Sequence, residues 1–176
     1  GEILEEVSFL DLLRDAPEIL ELLPVEPRDF DGLTVVDIFH SNSVEWIDLP
    51  HLAGRHPIYG PNKILVCLRN QDSVAVIDWK TRRLVWAWGR GEIVGPHDAT
   101  VLPSGNILIF DNGLGRKWSR AVEVDARTGR IVWEHGGPGE GAFYTRTRGS
   151  NQRLSNGNTL LVQSDDGQVF EVTPEG

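Results

Sequence analysis

Residues 74–86 read VAVIDWKTRRLVW, and residues 121–133 read AVEVDARTGRIVW. In both segments an alternating apolar run ends at an aspartate, a polar turn follows, and a second apolar run ends at a tryptophan. Such alternation around a polar turn predicts two short β-strands joined as a hairpin. Because residues 169–172 (VFEV) start the same pattern again, we interpret the segment as a repeated unit.

A second motif recurs with similar spacing, as LPSGNIL at residues 102–108 and LSNGNTL at residues 154–160. A period of about 50 residues, with about four strands and one tryptophan per unit, is typical of a β-propeller. We interpret Trp86 and Trp133 as wedges between neighbouring blades. The sequence therefore predicts an all-β chain forming a partial β-propeller domain over residues 1–176, with about three blades. Closed propellers have about four blades or more, so we expect the missing blades to come from the rest of the chain or from a homo-oligomer.

The N-terminal part of the chain departs from the repeat. Residues 1–7 (GEILEEV) resemble the strand at residues 129–134 and predict a strand that begins in the middle of a blade. Ser8 is a candidate N-cap for apolar residues with helical spacing, and Pro17 is expected to split that segment into two short helices. We assign residues 8–24 to a helical insertion.

A second irregular stretch, residues 50–61, contains glycine and proline and is assigned to a loop insertion. We expect His51 and His56 within it to face solvent, and we expect His135, which lies outside the repeat pattern, to be structural. Cys67 lies in an apolar run and is interpreted as a small buried hydrophobic residue.

The composition restricts the class of partner. Seventeen basic and 26 acidic residues give a formal net charge of −9, which makes nucleic acid or an anionic membrane surface an unfavourable partner. The sequence has no apolar run long enough to span a bilayer and no recognisable signal peptide. The chain contains no methionine and starts at Gly1, so we expect a processed or partial chain, for which the missing signal does not exclude export.

Three polar residues stand at comparable boundaries of predicted strands. His97 follows a Gly-Pro turn where a strand begins, His40 immediately precedes a strand-like run, and Arg69 follows the apolar run at residues 64–68. The innermost strands of a propeller line its channel, so these side chains are expected to converge there. Two imidazoles and a guanidinium suit a tetrahedral oxyanion. From the pattern alone, a turn-forming role for His97 stays open, and so does a metal site, although no paired His or Cys spacing favours one.

Around these residues the sequence resembles the bacterial, PAPS-independent arylsulfotransferases, which are β-propeller enzymes. The similarity extends from about Ile3 to Gly176. Its best segments are FHSNS at 39–43, LRNQ at 68–71, GPH at 95–97, DNGLGR at 111–116, WSRAVE at 118–123, VWE at 132–134 and FY at 143–144.

The resemblance implies half of a six-bladed propeller and transfer of a sulfuryl group from an aryl sulfate to a phenol through a sulfohistidine. On the matching motifs, His97 falls on the nucleophile. His40 and Arg69 fall on the residues that hold the sulfuryl oxygens, and His40 is also a candidate proton donor to the leaving phenol. The expected partners are a small-molecule aryl sulfate and a phenol, with no cofactor and no metal, and a periplasmic or extracellular location. The resemblance also assigns substrate binding to Asn42, Asn112 and Arg116.

Two other functions stay open at this point. The first is a non-catalytic propeller that scaffolds protein contacts or binds a small anion. The second is a quinone-dependent propeller, because residues 125–129 (DARTG) with Trp133 are similar to the blade-docking motif of quinoproteins, although that motif is structural there.

The chain also has no residues at the position of a further channel histidine that the family places in an earlier blade.

Overall fold

Antiparallel β-sheets form most of the regular secondary structure in the computed structural model, which describes residues 1–139 and 142–175. Strands pair in chain order within each sheet, which confirms the all-β prediction. A small hairpin is formed by β1 (Arg28–Phe30) and β2 (Leu33–Val35). The first large sheet contains β3 (Ser41–Ile47), β4 (Lys63–Leu68), β5 (Ser73–Asp78) and β6 (Arg83–Trp88). The second contains β7 (His97–Val101), β8 (Ile107–Asp111), β9 (Arg120–Asp125) and β10 (Arg130–Gly136). The third contains β11 (Ser150–Arg153), β12 (Thr159–Gln163) and β13 (Gln168–Val172).

The N-terminal region contains less regular structure than the sequence predicts. Helix α1 (Phe9–Arg14) forms as expected, with the Ser8 hydroxyl accepting the Asp11 N–H at 3.3 Å. Pro17 prevents α1 from continuing, since it supplies no N–H and disfavours helical geometry in the residue before it. The second helix does not form after it: residues 17–19 make a single turn, in which the Ile19 and Leu20 N–H groups both donate to the Ala16 carbonyl. The strand predicted at residues 1–7 is also wrong. This segment pairs with no sheet edge in the described structure and is largely exposed, and strands need a partner to persist. Within the described part of the chain, no helix is long and apolar enough to span a membrane.

The stretch at residues 50–61 folds into two short 3-10 helices, Pro50–Leu52 and Pro57–Tyr59, that pack on the second sheet. The buried Tyr59 hydroxyl donates to the Gly105 carbonyl at 2.8 Å. His51 is exposed, as expected, whereas His56 is half-buried with its ring 6.0 Å from that of Tyr59.

The repeated Asp-turn-Trp motif has the same register in the first two sheets. Asp78 pairs with Arg83, as Asp125 pairs with Arg130, and a bulge follows in each outer strand. The indole N–H groups then reach the next sheet: Trp88 Nε1 donates to the Gly129 carbonyl at 3.0 Å, and Trp133 Nε1 to the Pro174 carbonyl at 2.9 Å. The bridging tryptophan of the first sheet is therefore Trp88, while Trp86 packs half-buried against the core.

Three apolar clusters hold the sheets together. The largest fills the space between the first and second sheets, and its members include Leu65, Val76, Ile109 and Val122. A smaller cluster around Phe110 and Leu161 joins the second sheet to the third. The remaining cluster joins α1 and the following turn to the other face of the first sheet, so that the N-terminal segment covers part of that face.

The first strands of the three larger sheets, β3, β7 and β11, lie side by side through side-chain to backbone hydrogen bonds. The Ser43 hydroxyl accepts the Ala99 N–H at 3.1 Å, and a Glu45 carboxylate oxygen accepts the Val101 N–H at 2.7 Å. The same kind of contact follows between the next pair of sheets, where Asp98 accepts the Asn151 N–H at 2.7 Å. Residues that precede or begin these strands are thereby brought to one region.

Candidate active site

His97 begins β7 directly after a tight turn, and 8% of the residue is exposed. Gly95 adopts a left-handed φ of 66°, and a Cβ there would lie 2.7 Å from Leu114 Cδ1, so the turn requires glycine. Nδ1 of His97 lies 2.8 Å from Asn112 Oδ1 and 3.2 Å from the Gly95 carbonyl oxygen. Both neighbours are acceptors, so Nδ1 carries the hydrogen and Nε2 keeps its lone pair.

The orientation of the Asn112 amide is fixed by its other contacts. Its Nδ2 donates to the Thr145 carbonyl at 2.9 Å and to the Arg148 carbonyl at 2.8 Å, which leaves Oδ1 facing the imidazole. Asn112 is fully buried, and both carbonyls belong to the segment that leads into the third sheet. The second and third sheets therefore determine together which tautomer His97 adopts.

Burial lowers the pKa of His97 below its ordinary value of 6.5. The hydrogen bonds to Asn112 and Gly95 oppose this shift, whereas the charges of Arg69 and His40 add to it. A lowered pKa keeps the imidazole neutral at neutral pH, and a neutral imidazole with a free Nε2 lone pair is the form that can attack an electrophile.

His40 lies beside His97, with ring centroids 6.5 Å apart and planes inclined at 67°. Its backbone has a positive φ of 46°, and its side chain is 45% exposed. Nδ1 of His40 lies 2.5 Å from Asp37 Oδ2, and its backbone N–H donates to Asp37 Oδ1 at 2.9 Å. The two histidines thus share one region but have different partners, an amide for His97 and a carboxylate for His40.

Arg69 enters the same region from the end of β4, in a short 3-10 helix. Its Nη1 donates to Asn70 Oδ1 at 2.8 Å, and its charge acts on the ring of His97. Burial and the neighbouring Arg28 lower the pKa of Arg69, but guanidinium groups stay protonated in proteins. His40 and His97 are therefore neighbours, and the charge of Arg69 acts on His97.

The residues predicted to bind substrate have polar groups that already contact the protein. Asn42 Nδ2 donates to the Pro96 carbonyl at 2.9 Å, which ties β3 to the turn before His97. Arg116 Nη2 donates to Asp111 Oδ2 at 2.6 Å, and its guanidinium stacks 4.3 Å from the centre of the Trp118 ring. Asn42 and Asn112 thus flank His97 with supporting contacts, and direct contact of Asn42, Asn112 or Arg116 with substrate stays a prediction.

Asp37, Arg28 and Asn70 are the residues of this region that the sequence interpretation missed. Asp37 stands three residues before His40, and that short spacing is the signal that could have identified it. Among residues 1–139 and 142–175, no group of three or more His, Cys, Asp or Glu side chains is arranged to hold a metal ion. His135 stacks on Phe143 at 6.3 Å, away from this region.

A family model described as arylsulfotransferase (ASST) matches residues 1–176. The chain belongs to the arylsulfotransferase family. No protein of curated function matches this ASST-family chain. A solved structure of a Bacteroides caccae protein of unknown function matches with 21% identity and a TM-score of 0.46, covering 65% of this chain and 39% of that one. Hydrazine synthase of Kuenenia stuttgartiensis matches with 11% identity and a TM-score of 0.38, covering 62% of this chain and 31% of that one. The ASST-family chain thus spans well under two thirds of the length of either solved relative.

Proposed function

We propose that this ASST-family protein transfers a sulfuryl group from an aryl sulfate to a phenol through a covalent sulfohistidine at His97. The observation that carries the proposal is the contact of Nδ1 of His97 with two acceptors, which frees Nε2, while burial keeps the ring neutral. Family membership supplies the reaction class, and the nearby His40 and Arg69 supply N–H donors for the sulfuryl oxygens.

In the first half-reaction, the Nε2 lone pair of His97 attacks sulfur, and an N–S bond forms. The bond between sulfur and the aryl oxygen breaks, and its electron pair leaves on that oxygen, which takes a proton from His40. The ring of His97 becomes cationic, and the acceptors Asn112 Oδ1 and the Gly95 carbonyl oxygen stabilise it through Nδ1–H. As in phosphoryl transfer, catalysis then depends mainly on positioning and on stabilising charge at the equatorial oxygens.

In the second half-reaction, the hydroxyl of the acceptor phenol loses its proton to His40 and attacks sulfur. The N–S bond breaks, and its electron pair returns to Nε2 of His97. The protein ends in its starting protonation state, and the proton that His40 donates in the first half-reaction is replaced in the second. Two histidines with different partners suit such a division between nucleophile and acid–base group.

We also propose that the sheets are blades of a six-bladed β-propeller, half of which lies in this chain. In support, neighbouring sheets repeat the side-chain to backbone hydrogen bonds between their first strands. An indole N–H from the last strand of each of the first two sheets also donates to a carbonyl beyond that sheet, from Trp88 in one and Trp133 in the other. The remaining blades come from the rest of the chain or from a second copy, and they complete the wall around His97. Family resemblance favours a periplasmic or extracellular location.

The protein incubated with 4-nitrophenyl sulfate is expected to release one rapid equivalent of 4-nitrophenol and then to turn over faster as phenol is added. Initial rates at several concentrations of both substrates should give the parallel double-reciprocal lines of a ping-pong mechanism. Peptide mapping at alkaline pH should locate the sulfuryl group on His97. Intersecting lines without a burst would contradict the covalent mechanism, and sulfate binding without any turnover would support the anion-binding alternative.

Replacing Asn112 with Asp is expected to disable His97 at neutral pH. A carboxylate against Nδ1 favours the imidazolium, and an adjacent opposite charge shifts a pKa by about 1–3 units. The pH below which kcat/KM falls should therefore rise by a comparable number of pH units, and kcat/KM at pH 6 should decrease by about 10–100-fold. The new side chain also cannot donate to the Thr145 and Arg148 carbonyls, so activity should be compared at a temperature where circular dichroism shows both proteins folded. An unchanged limb would mean that Asn112 does not control the protonation of His97.

A further inference from the structure

Asp37 links His40 and Arg69, two residues of the candidate site. Its carboxylate accepts the backbone N–H of His40 at 2.9 Å and contacts His40 Nδ1 at 2.5 Å. Its backbone carbonyl accepts Asn70 Nδ2 at 2.6 Å, and Asn70 Oδ1 in turn accepts Arg69 Nη1 at 2.8 Å. One residue therefore contacts His40 directly and Arg69 through a single amide.

The charged and titratable groups around His40 come from four elements. Asp37 lies in the loop before β3, Arg28 is in β1, Arg69 follows β4, and His97 begins β7. Arg28 and Arg69 are cations that disfavour a charged imidazole, and His97 is neutral as the nucleophile. Asp37 is the anion in hydrogen-bond contact with the His40 ring, so it is the group placed to stabilise positive charge on that ring.

Asp37 itself stays ionised in this environment. Burial acts to raise its pKa, but the side-chain and backbone hydrogen bonds from His40, with the charges of His40 and Arg28, outweigh burial and lower the pKa below 3.8. Arg28 Nη2 contacts Asp37 Oδ2 at 3.0 Å and holds the carboxylate from the side of the small hairpin. The left-handed backbone of His40, which is unfavourable for a residue with a Cβ, is held by the same carboxylate through the His40 N–H.

We propose that Asp37 is a positioning residue that holds the His40 ring through Nδ1, stabilises positive charge on that ring and directs Nε2–H to the leaving oxygen, so that the protein can use aryl sulfates of basic, unactivated phenols. The proposal rests on the sulfuryl transfer proposed above. The proton moves from His40 Nε2 to the aryl oxygen as the sulfur–oxygen bond breaks, and Asp37 stays a carboxylate throughout. A nitrophenolate leaves without this proton because the nitro group stabilises its charge, whereas an unsubstituted phenolate needs the proton.

The test compares an activated with an unactivated donor in the Asp37→Asn protein. General acid catalysis contributes about 10²–10⁴-fold, so kcat/KM for phenyl sulfate should fall by at least about 10²-fold. The value for 4-nitrophenyl sulfate should fall by less than about 10-fold, because protonation matters little there. Asp37→Glu, which retains a carboxylate, should recover part of the loss. Asp29→Asn removes the same charge from an exposed aspartate of the neighbouring hairpin, whose Oδ1 accepts the Gly32 N–H, and should change neither value.

Equal losses on both donors would overturn the proposal, because a merely structural role affects every substrate alike. A second measurement does not require turnover: the ¹H resonance of the His40 Nδ1–H should lie far downfield in the parent, as for a proton in a short hydrogen bond to a carboxylate, and should move upfield in Asp37→Asn. If neither donor is turned over, the proposed function fails, and this resonance still decides the role of Asp37. An identical resonance in both proteins would refute that role.

Discussion

Replacing His97 with Asn is expected to abolish the burst of nitrophenol from 4-nitrophenyl sulfate and to lower kcat by at least about 10³-fold, as loss of a covalent nucleophile does. The Asn Nδ2 occupies nearly the place of imidazole Nδ1 and can donate to Asn112 Oδ1, so the turn and the inner strand keep their contacts. The atom that disappears is Nε2, the proposed attacking nitrogen. The free energy of unfolding, measured in urea, should therefore change by no more than about 1 kcal/mol.

His135→Asn is the matched control for this substitution. His135 is also a partly buried histidine with a pKa lowered by burial, but it stacks on Phe143 outside the site. Its replacement should leave the burst intact. A burst of normal size in His97→Asn would show that another residue carries the sulfuryl group.

The pH dependence of the parent provides an independent check. Neutral His97 is the reactive form, and burial lowers the pKa of His97, so a smaller fraction is protonated at a given acidic pH. The acidic limb of kcat/KM should therefore lie below the ordinary imidazole value of 6.5. Residual activity in His97→Asn should lack this limb.

The sequence predicts the sheets well because their signal is local and repeated. The apolar runs that end at Asp78 and Asp125 mark β5 and β9, and the polar turn after each aspartate marks where the next strand begins. The neighbouring positions of His40 and His97 follow from the same repeat, because each stands where an inner strand starts. The strand predicted at residues 1–7 does not form. Its residue pattern suits a strand, but this segment pairs with no other strand in the described structure.

The hydrogen-bond partners of the site could not be predicted from the pattern. Whether Asp37 reaches His40 depends on the left-handed backbone at His40, and nothing in the residue type indicates that conformation. The resemblance assigns Asn42 and Asn112 to substrate binding, yet both amides contact backbone carbonyls in the structure. Side chains that a motif assigns to a ligand can equally hold the catalytic residue, and only their long-range contacts decide between these roles.

Asp111→Ala is expected to be the most destabilising of these substitutions, at about 3–5 kcal/mol, because it removes one partner of a buried ion pair. The Asp111 carboxylate is fully buried and contacts Arg116 Nη2 at 2.6 Å and Arg120 Nε at 2.9 Å. Its Oδ1 also accepts the Val94 N–H at 2.9 Å. Alanine would leave these donors without an acceptor next to Asn112, so the orientation of the His97 ring should also be lost.

The same Arg120 provides the internal control, because its Nη1 contacts Glu134, whose side chain is 51% exposed, at 2.7 Å. Exposed ion pairs contribute about 0–1 kcal/mol, so Glu134→Ala should shift the midpoint of urea unfolding only slightly. Asp111→Asn should fall between the two, since the amide oxygen still accepts one N–H but the charge is gone. Comparing the two variants therefore shows how much more a buried carboxylate contributes to stability than an exposed one when both pair with the same guanidinium. Equal effects of Asp111→Ala and Glu134→Ala would show that Asp111 is not the anchor of this region.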